Sequence, residues 1–332
     1  MIGVYDQYIF RPYQSLRNLL FGALPFSLGD LLYFTGAIFL IAVNIRWIYF
    51  LLRFPTHKHF LARSLLNTMI TFSVIYLLFF IGWGGNYYKP SLASYWQLTP
   101  STVNNKRLLH SYDQYLINRL NDLAPVYEQQ PFKKVNERAQ QYYRTFTDSR
   151  TRMHGLRTKP SFYGFFMQYL GVQGYYNPFT GEAQVNRFLP SFMLPFVICH
   201  EMAHQSGIAA EDDANLLSYA LCVTSPDKDF SYSGYFNIWL YTHSRFRKVD
   251  SNTADSLYKT LNLVTHGHLD TLRAIRKKYR SELSAYSSAI YDGYLRMHNQ
   301  KDGIDSYYGV ILSAWQWEEQ RKKTPVTLLR IP

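Results

Sequence analysis

Cysteine is nearly absent from this sequence of 332 residues. There are only two cysteines, Cys199 and Cys222, and they form no Cys-x-x-Cys spacing. This scarcity excludes a disulfide-built scaffold and a zinc site made of cysteine pairs. The two residues are either small buried apolar side chains or the two halves of one disulfide between neighbouring helices, and the sequence leaves both interpretations open.

Acidic residues are also few. The 23 Asp and Glu against 35 Lys and Arg give a formal net charge of +12. The basic residues are spread along the chain without a dense run, and no nucleic-acid motif accompanies them. We therefore expect the positive charge to attract anionic lipid headgroups or simply to be solvated, and we expect no nucleic-acid partner.

Long apolar runs, by contrast, are present near the N-terminus. Residues 31–52 are apolar except for Asn44 and Arg46, and residues 65–83 contain no charge. Each run is about as long as the ~20 residues that a helix needs to cross a bilayer. Apolar residues make up 47% of the chain and aromatic residues 17%. We therefore interpret the runs as two transmembrane helices rather than two buried core helices, with the lipid bilayer as a partner.

The charges between the two runs predict the orientation. Arg53, Lys58 and Arg63 lie in the segment that joins them. The positive-inside rule places this connecting loop in the cytoplasm. The prediction is an integral protein of the inner (cytoplasmic) membrane, in which residues 1–86 form the anchor and residues 87–332 form a domain on the outer, periplasmic side.

The predicted topology does not explain how the N-terminal segment reaches the outer side of the membrane. Residues 1–30 contain no cleavable signal peptide, and their apolar stretch is interrupted by Pro25 and is too short to span. An N-terminus on the outside, without an export helix before it, predicts either translocation of a short tail or a further span upstream.

The remainder of the sequence is predicted to be mainly helical. Residues 105–123, 131–147 and 251–298 mix apolar and polar positions at helical spacing. Asn-Pro and Thr-Gly pairs between residues 172–176 and 182–186 predict that these two segments are the strands of a β-hairpin. The predicted fold class is therefore mainly α, with N-terminal transmembrane helices followed by a mostly helical domain that contains a small β-hairpin or sheet.

One motif indicates metal chemistry. Residues 200–204 read His-Glu-Met-Ala-His, a His-Glu-x-x-His pattern inside an apolar helical run. Its spacing puts His200 and His204 on one helix face, where two nitrogens can meet one zinc ion at ~2.0–2.1 Å. Glu201 stands beside that face, as a general base that reaches a water without ligating the ion must do. The sequence therefore predicts one Zn²⁺ per chain, with Glu201 as the catalytic residue.

A catalytic zinc site usually has a third protein ligand. Gly207 can end the first helix, and the acidic residues that follow can begin a second helix that returns to the metal. This helical hairpin makes Glu211 the preferred third ligand and Asp213 the alternative. Asn215, one turn after Glu211, can hydrogen-bond a ligand. The acidic residues can also serve only to complement the N-terminus of the second helix.

Zinc peptidases often add a Tyr or His side chain that donates a hydrogen bond to the oxyanion. His298, Tyr307 and Tyr308 lie in a polar break before the last predicted helix and are candidates for this role. With 29 tyrosines in the chain, chance proximity is the simpler explanation. The hairpin at residues 172–186 is either structural or offers an edge strand to which a substrate peptide can add.

Three stretches of the sequence resemble the family named domain of unknown function 3810. They are residues 200–215, residues 174–186 (Gly-Tyr-Tyr-Asn-Pro-Phe-Thr-Gly-Glu-Ala-Gln-Val-Asn) and residues 25–30 (Pro-Phe-Ser-Leu-Gly-Asp). The resemblance covers nearly the whole chain. It implies a membrane-anchored zinc peptidase of the gluzincin type with a zincin-like domain.

The resemblance also bears on single residues. Members of the family have Glu-Asp-Glu-Ala-Asn after the His-Glu-x-x-His helix, and this sequence has Asp213 at the third of these positions. That difference implies that Glu211 is the retained ligand. The pattern Glu211-x-x-x-Asn215 is also similar to the Glu-x-x-x-Asp of membrane metallopeptidases that process membrane proteins. Family members carry a further span upstream of the segment that matches residues 5–13.

The functional hypothesis is a zinc-dependent peptidase that acts on a peptide or protein at the outer face of the membrane. Two alternatives stay open: a catalytically silent, membrane-tethered binding or regulatory protein, and a zinc hydrolase of a non-peptide envelope amide. The intact His200, Glu201 and His204 argue against the silent protein, because a structural zinc site prefers four protein ligands and does not need the acid between the histidines.

Overall fold

The computed structural model of the protein describes residues 2–98, 105–148, 153–280, 282, 289, 309–323 and 329–330. The described part of the chain is mainly helical, and its three strands form one small sheet. The predicted fold class is confirmed.

The N-terminal segment is helical before the candidate membrane helices begin. It consists of α1 (Ile2–Tyr5), a π-helical turn (Asp6–Phe10) and α2 (Arg11–Gly22). In α2 the buried side chains are polar: Gln14 donates to the carbonyl of Gly181 at 2.8 Å, and Arg17 donates to the hydroxyl of Tyr176 at 3.1 Å. Residues 1–86 and 87–332, predicted to be an anchor and a separate domain, therefore share an interface along α2, and the boundary between them stays a prediction.

Two long apolar helices follow, α3 (Leu28–Leu52) and α4 (Phe54–Gly82). Both are long and apolar enough to cross a membrane, and only 11% of the most apolar stretch of each is buried. A core helix of a soluble protein would be mostly buried, so these are candidate membrane helices. Ser27 caps α3, since its side chain accepts a hydrogen bond from the backbone N–H of Asp30.

The predicted loop between the two apolar runs is wrong in extent. Only Arg53 separates α3 from α4, and α4 begins at Phe54 rather than at residue 65. Pro55 explains the early start, because proline in the first turn lacks only an N–H that has no helical partner and its backbone is already set for the helix. The basic residues of the predicted loop therefore lie in the connection and on the first turns of α4.

Helices also dominate the rest of the described chain. They are α5 (Leu92–Tyr95), α6 (Lys106–Leu123), α7 (Phe132–Phe146), α8 (Gly164–Leu170), α9 (Leu194–Gln205), α10 (Glu211–Thr224), α11 (Lys228–Val249), α12 (Ser251–Tyr258), α13 (Leu263–Lys278) and α14 (Gly309–Lys323), with 3₁₀ turns at Gly84–Tyr88 and Ala124–Val126. The predicted helices at 105–123 and 131–147 are confirmed as α6 and α7. The stretch 251–298 contains two helices up to residue 280, because Asn262 accepts from the N–H of Val264 and starts α13 afresh.

The sheet has the order β1-β3-β2, with strands β1 (Thr158–Pro160), β2 (Gly174–Asn177) and β3 (Glu182–Val185). The antiparallel pair of β2 and β3 is the predicted hairpin, with slightly different bounds. The parallel strand β1 was not predicted, since three residues that include a lysine and a proline give no periodic signal.

A buried ion pair attaches the sheet to the start of α3. Lys159 Nζ lies 2.6 Å from Glu182 Oε1, and the N–H of Gly29 donates to Glu182 Oε2 at 2.7 Å. Lys159 Nζ also donates to the backbone carbonyls of Phe21 and Phe26. Because the buried charges are hydrogen-bonded on several sides, removing one partner would cost about 3–5 kcal/mol. The sheet is thereby held at the N-terminal end of the first candidate membrane helix.

Cys199 and Cys222 are both free and buried. They lie on α9 and α10, which pack against each other, and the pKa of the Cys222 thiol is raised, first by burial and then by its hydrogen bond with Cys199. The interpretation of small buried side chains is therefore the one that the structure supports, and the two residues form no disulfide.

Candidate metal centre

Helix α9 presents the two histidines of the motif. It begins with Pro195 in its first turn and is buried along nearly its whole length, so its sequence is apolar on all sides except at the motif. The chain leaves the helix at Gly207, whose φ of +96° favours glycine and whose added Cβ would lie 2.4 Å from the ring of Phe10. Gly207 therefore follows the end of helix α9 as predicted and lets the chain turn back toward α10.

Three side chains from α9 and α10 meet at one point. His200 Nε2 and His204 Nε2 are 3.1 Å apart. His200 Nε2 lies 3.3 Å from Glu211 Oε2, and His204 Nε2 lies 3.3 Å from Glu211 Oε1. A tetrahedral ion with bonds of ~2.0–2.1 Å separates its ligand atoms by about 3.3 Å. The spacing of the two nitrogens and the carboxylate oxygens therefore fits a zinc-sized ion. Among the described residues, His200, His204 and Glu211 are the group that could hold a metal.

The hydrogen bond of His204 sets its ring for this role. Its Nδ1 lies 2.8 Å from the carbonyl oxygen of Ile208, which can only accept, so Nδ1 carries a proton and Nε2 is the nitrogen turned to the cluster. The second ring nitrogen of His200, Nδ1, is buried and has no partner in the described part of the chain.

The charges around the cluster favour a cation. Burial alone would lower the pKa of His204, but the nearby carboxylate of Glu211 outweighs it and raises the pKa to about 9. Burial likewise opposes ionisation of Glu211, yet His204 and His200 hold the pKa of that carboxyl well below its usual range. A carboxylate kept ionised in a buried site attracts positive charge, whether a proton on His204 or a metal ion.

Glu201 lies beside the cluster without joining it. Its side chain is buried, and burial raises the pKa of its carboxyl to about 7 against the lowering effect of the two histidines. Its Oε2 has no hydrogen-bond partner among the described residues. Strand β2 passes directly over it, since a Cβ added at Gly174 would lie 2.5 Å from Glu201 Oε1 and 2.8 Å from the carbonyl oxygen of Gln184.

The structure separates the two candidates for the third ligand. Glu211 is the first residue of α10 and points to the histidines, whereas the carboxyl of Asp213 accepts from the backbone of Leu92 and Ala93 at the start of α5. Burial, followed by the neighbouring Asp212, raises the pKa of Asp213 to about 8. Of the two predicted acids, the structure brings Glu211 to the cluster and turns Asp213 away.

Asn215 lies in the same cleft as the cluster, and its Nδ2 is buried without a hydrogen-bond partner in the described residues. The predicted hydrogen bond from Asn215 to a ligand is not present there. The candidates His298, Tyr307 and Tyr308 lie outside the described residues.

The cluster forms the floor of a cleft of about 520 Å³. One wall is the end of α4 and the turn after it, with Trp83 and Tyr87, and the other is the end of α8 and strand β2. Trp83 packs on Tyr176 with ring centroids 4.3 Å apart and meets the ring of His204 edge-on at 6.4 Å. The second candidate membrane helix therefore ends at the cleft.

Tyr241 also lines the cleft and was missed in the sequence. It lies on α11, and its pKa is raised first by burial and then by the charge of Glu211, so its hydroxyl keeps its proton. No motif distinguishes it from the other tyrosines of the chain. Only the packing of α11 against α9 and α10 brings it to the cluster.

The fold and the cluster together define a mainly helical protein with two candidate membrane helices and a His-Glu-x-x-His site in a cleft. The chain belongs to the family described as "Protein of unknown function (DUF3810)", whose model matches residues 5–312. The predicted family is thus confirmed. No curated protein and no solved structure matches the chain.

The choice between Glu211 and Asp213 can be tested by metal content. We expect Glu211→Gln to weaken zinc binding, because a neutral amide is a poorer ligand than a carboxylate. Asp213→Asn is the matched control and should keep the metal, since its side chain faces α5. Zinc titration of both purified variants gives the answer. Loss of zinc in Asp213→Asn with retention in Glu211→Gln would exchange the two assignments.

Gly174 offers a test of the position of Glu201, the residue that the sequence predicts to be the general base. We expect Gly174→Ala to push Glu201 out of position. A displacement of ~1 Å can lower the rate of a reaction that depends on the displaced group by about 10²-fold. Zinc content should stay unchanged, because Glu201 is not in the ligand cluster. Gly267→Ala is the control, since a Cβ there meets open space. Equal rates for the two variants would show that the contact with Glu201 is unimportant.

Proposed function

We propose that the protein is a membrane-anchored zinc metallopeptidase that hydrolyses peptide bonds at the outer face of a membrane. The observation that carries this proposal is the meeting of His200 Nε2, His204 Nε2 and the Glu211 carboxylate within 3.1–3.3 Å, with Glu201 buried beside them in a cleft. A site of three ligands leaves a fourth position for chemistry, whereas a structural zinc site is closed by four.

His200, His204 and Glu211 would hold one Zn²⁺ per chain. When bound, zinc polarises a carbonyl and lowers the pKa of a water molecule. Two imidazoles and one carboxylate are the donor set that catalytic zinc sites of this kind use. The retained negative charge of Glu211 and the orientation of His204 Nε2 toward the cluster support the assignment.

Glu201 would act as the proton carrier. A pKa of about 7 suits a group that takes a proton from water and then passes it to the leaving amine near neutral pH. Burial is the main cause of this value. The protonated hydroxyl of Tyr241 could donate a hydrogen bond to the oxyanion that develops on the substrate carbonyl.

Strand β2 would hold the substrate. It is an edge strand of the sheet and lines the cleft with Gly174, Tyr175 and Tyr176. An extended peptide can add to such an edge through main-chain hydrogen bonds, and this mode accepts many sequences because the backbone does the binding. Because Gly174 also touches Glu201, a peptide on this strand would lie within reach of the base.

The proposal can be tested with the full chain in detergent or nanodiscs. The zinc-loaded protein is incubated with a mixture of peptides of diverse sequence, and mass spectrometry identifies the products. We expect cleavage that stops when the zinc is chelated and returns when zinc is added. Zinc binding without cleavage of any peptide or protein would favour a membrane-tethered binding protein, and cleavage of a non-peptide amide alone would favour the other hydrolase.

The side of the membrane is also a proposal. Arg53 connects α3 to α4, and Lys58 lies on the first turns of α4. This end of the helix pair is opposite to the cleft, which is bordered by Trp83 at the other end of α4. The positive-inside rule then places the connection in the cytoplasm and the cleft outside.

We expect a membrane-impermeant maleimide to label Ser111→Cys on intact cells and Lys58→Cys only after the membrane is opened. Both positions are exposed, and the native cysteines are buried and should not react. Labelling of Ser111→Cys only from the cytoplasmic side would overturn the orientation.

A further inference from the structure

An exposed cluster of phenylalanines borders the cleft. Phe162, Phe165, Phe166 and Phe188 are 58%, 52%, 64% and 47% exposed, and we call these four residues the apolar rim. Three of them lie on α8 or just before it, and Phe188 packs at Gly164 on the same helix. Helix α8 runs from the apolar rim into the cleft wall, which begins at Leu170. Large exposed rings of this kind mark a surface that contacts something other than water.

Helix α2 also exposes apolar side chains, and it buries polar ones. Its buried positions include Gln14 and Arg17, while Leu16, Leu19 and Leu20 are 50%, 76% and 55% exposed. A helix on the surface of a water-soluble protein has its apolar face inward. The outward apolar face of α2 therefore fits a lipid environment.

The apolar rim lies level with the start of the first candidate membrane helix. The backbone N–H of Phe162 donates to Asp30 Oδ2 at 2.7 Å, and the hydroxyl of Tyr163 donates to the carbonyl oxygen of Asp30 at 2.9 Å. Asp30 is in the first turn of α3, where the apolar stretch begins. The ring of Tyr175, a residue of the cleft wall, lies 5.5 Å from that of Tyr33 one turn further along α3. Cleft wall, apolar rim and helix start are thus at one level.

Basic residues complete this surface. The ring of Tyr279 packs on those of Tyr169 and Phe165 at 5.0 and 6.4 Å, which places the end of α13 beside the apolar rim. Arg276, Lys277 and Lys278 form the last turn of α13 and are exposed. Phenylalanines flanked by lysines and arginines are typical of surfaces that lie in the headgroup region of a membrane.

We infer that the apolar rim inserts into the outer leaflet of the membrane in which α3 and α4 lie, so that the cleft opens at the lipid surface. The substrates would then be polypeptide segments held at that surface, either next to a transmembrane helix or attached to a lipid. The substrate class rests on the proposed peptidase function, whereas the contact between the apolar rim and the lipid does not.

The lipid contact can be measured without any activity. Phe166→Cys and the control Ser111→Cys, on α6, are labelled with an environment-sensitive fluorophore, and the full chain is placed in nanodiscs that contain anionic lipid. We expect lipids brominated near the headgroup to quench the label at position 166 several-fold more than the label at position 111. Equal exposure of both labels to aqueous iodide, without lipid quenching, would overturn the insertion and favour a protein partner for the apolar rim.

The substrate class needs a second measurement. One peptide sequence is offered with and without a lipid anchor, in nanodiscs, to the unmodified protein and to a Phe165→Ser, Phe166→Ser double variant. We expect the anchored peptide to have the higher kcat/KM with the unmodified protein and the double variant to lose most of this preference while cleaving the free peptide normally. Equal cleavage of both peptides by the unmodified protein would overturn the substrate class. No cleavage of either, with lipid quenching intact, would instead count against the peptidase function.

Discussion

Glu201→Gln is expected to lower the rate of peptide cleavage by about 10²–10⁴-fold while zinc content and folding stay near normal. The amide has nearly the same shape as the carboxyl, but it cannot take a proton from water. Glu201 is not one of the three residues whose ligand atoms meet, so the metal should remain. Turnover is measured on the best peptide from the library experiment, and metal content by elemental analysis of the same sample.

The control for this substitution is Glu137→Gln, at an exposed position on α7. It makes the same change of a carboxylate to an amide at another position and should leave the cleavage rate and the zinc content unchanged. If Glu201→Gln lost its zinc, the residue would be a ligand rather than the base. If it kept both zinc and full turnover, another group would carry the proton.

His204→Ala is expected to abolish zinc binding and, with it, turnover. Losing even a hydrogen-bond partner of a metal ligand typically costs ~10–100-fold in metal affinity, and losing one of three ligands should cost more. The remaining pair, His200 and Glu211, would be too few to hold the ion. Zinc content after dialysis against a weak chelator is the measurement, with one ion per chain expected for the unmodified protein.

His110→Ala controls for the loss of a histidine as such, because His110 is exposed on α6 and outside the cluster. The folded state of both variants is checked by circular dichroism and thermal melting. A folded His204→Ala protein that still held one zinc per chain would show that the metal is bound elsewhere or that the cluster is not a metal site.

Much of the candidate site was predictable because its signal is local. The spacing of His200 and His204 forces both rings onto one face of any helix, whatever packs around it. The apolar runs likewise predicted α3 and α4, since length and hydrophobicity alone qualify a helix to cross a bilayer. Turn residues between 176 and 182 predicted the hairpin for the same reason, since their preferences act over a few residues.

The sequence by itself thus determined the two candidate membrane helices, the hairpin, the pair of histidines and the position of Glu201 beside them. The tertiary structure decided what depends on distant parts of the chain: Glu211 rather than Asp213 at the cluster, Tyr241 in the cleft and the apolar rim beside the start of α3. The physical reason is that helical periodicity fixes only neighbours three or four residues apart. Which face of α10 or α11 turns to the histidines is set by the packing of whole helices, and a single sequence carries no local signal for that packing.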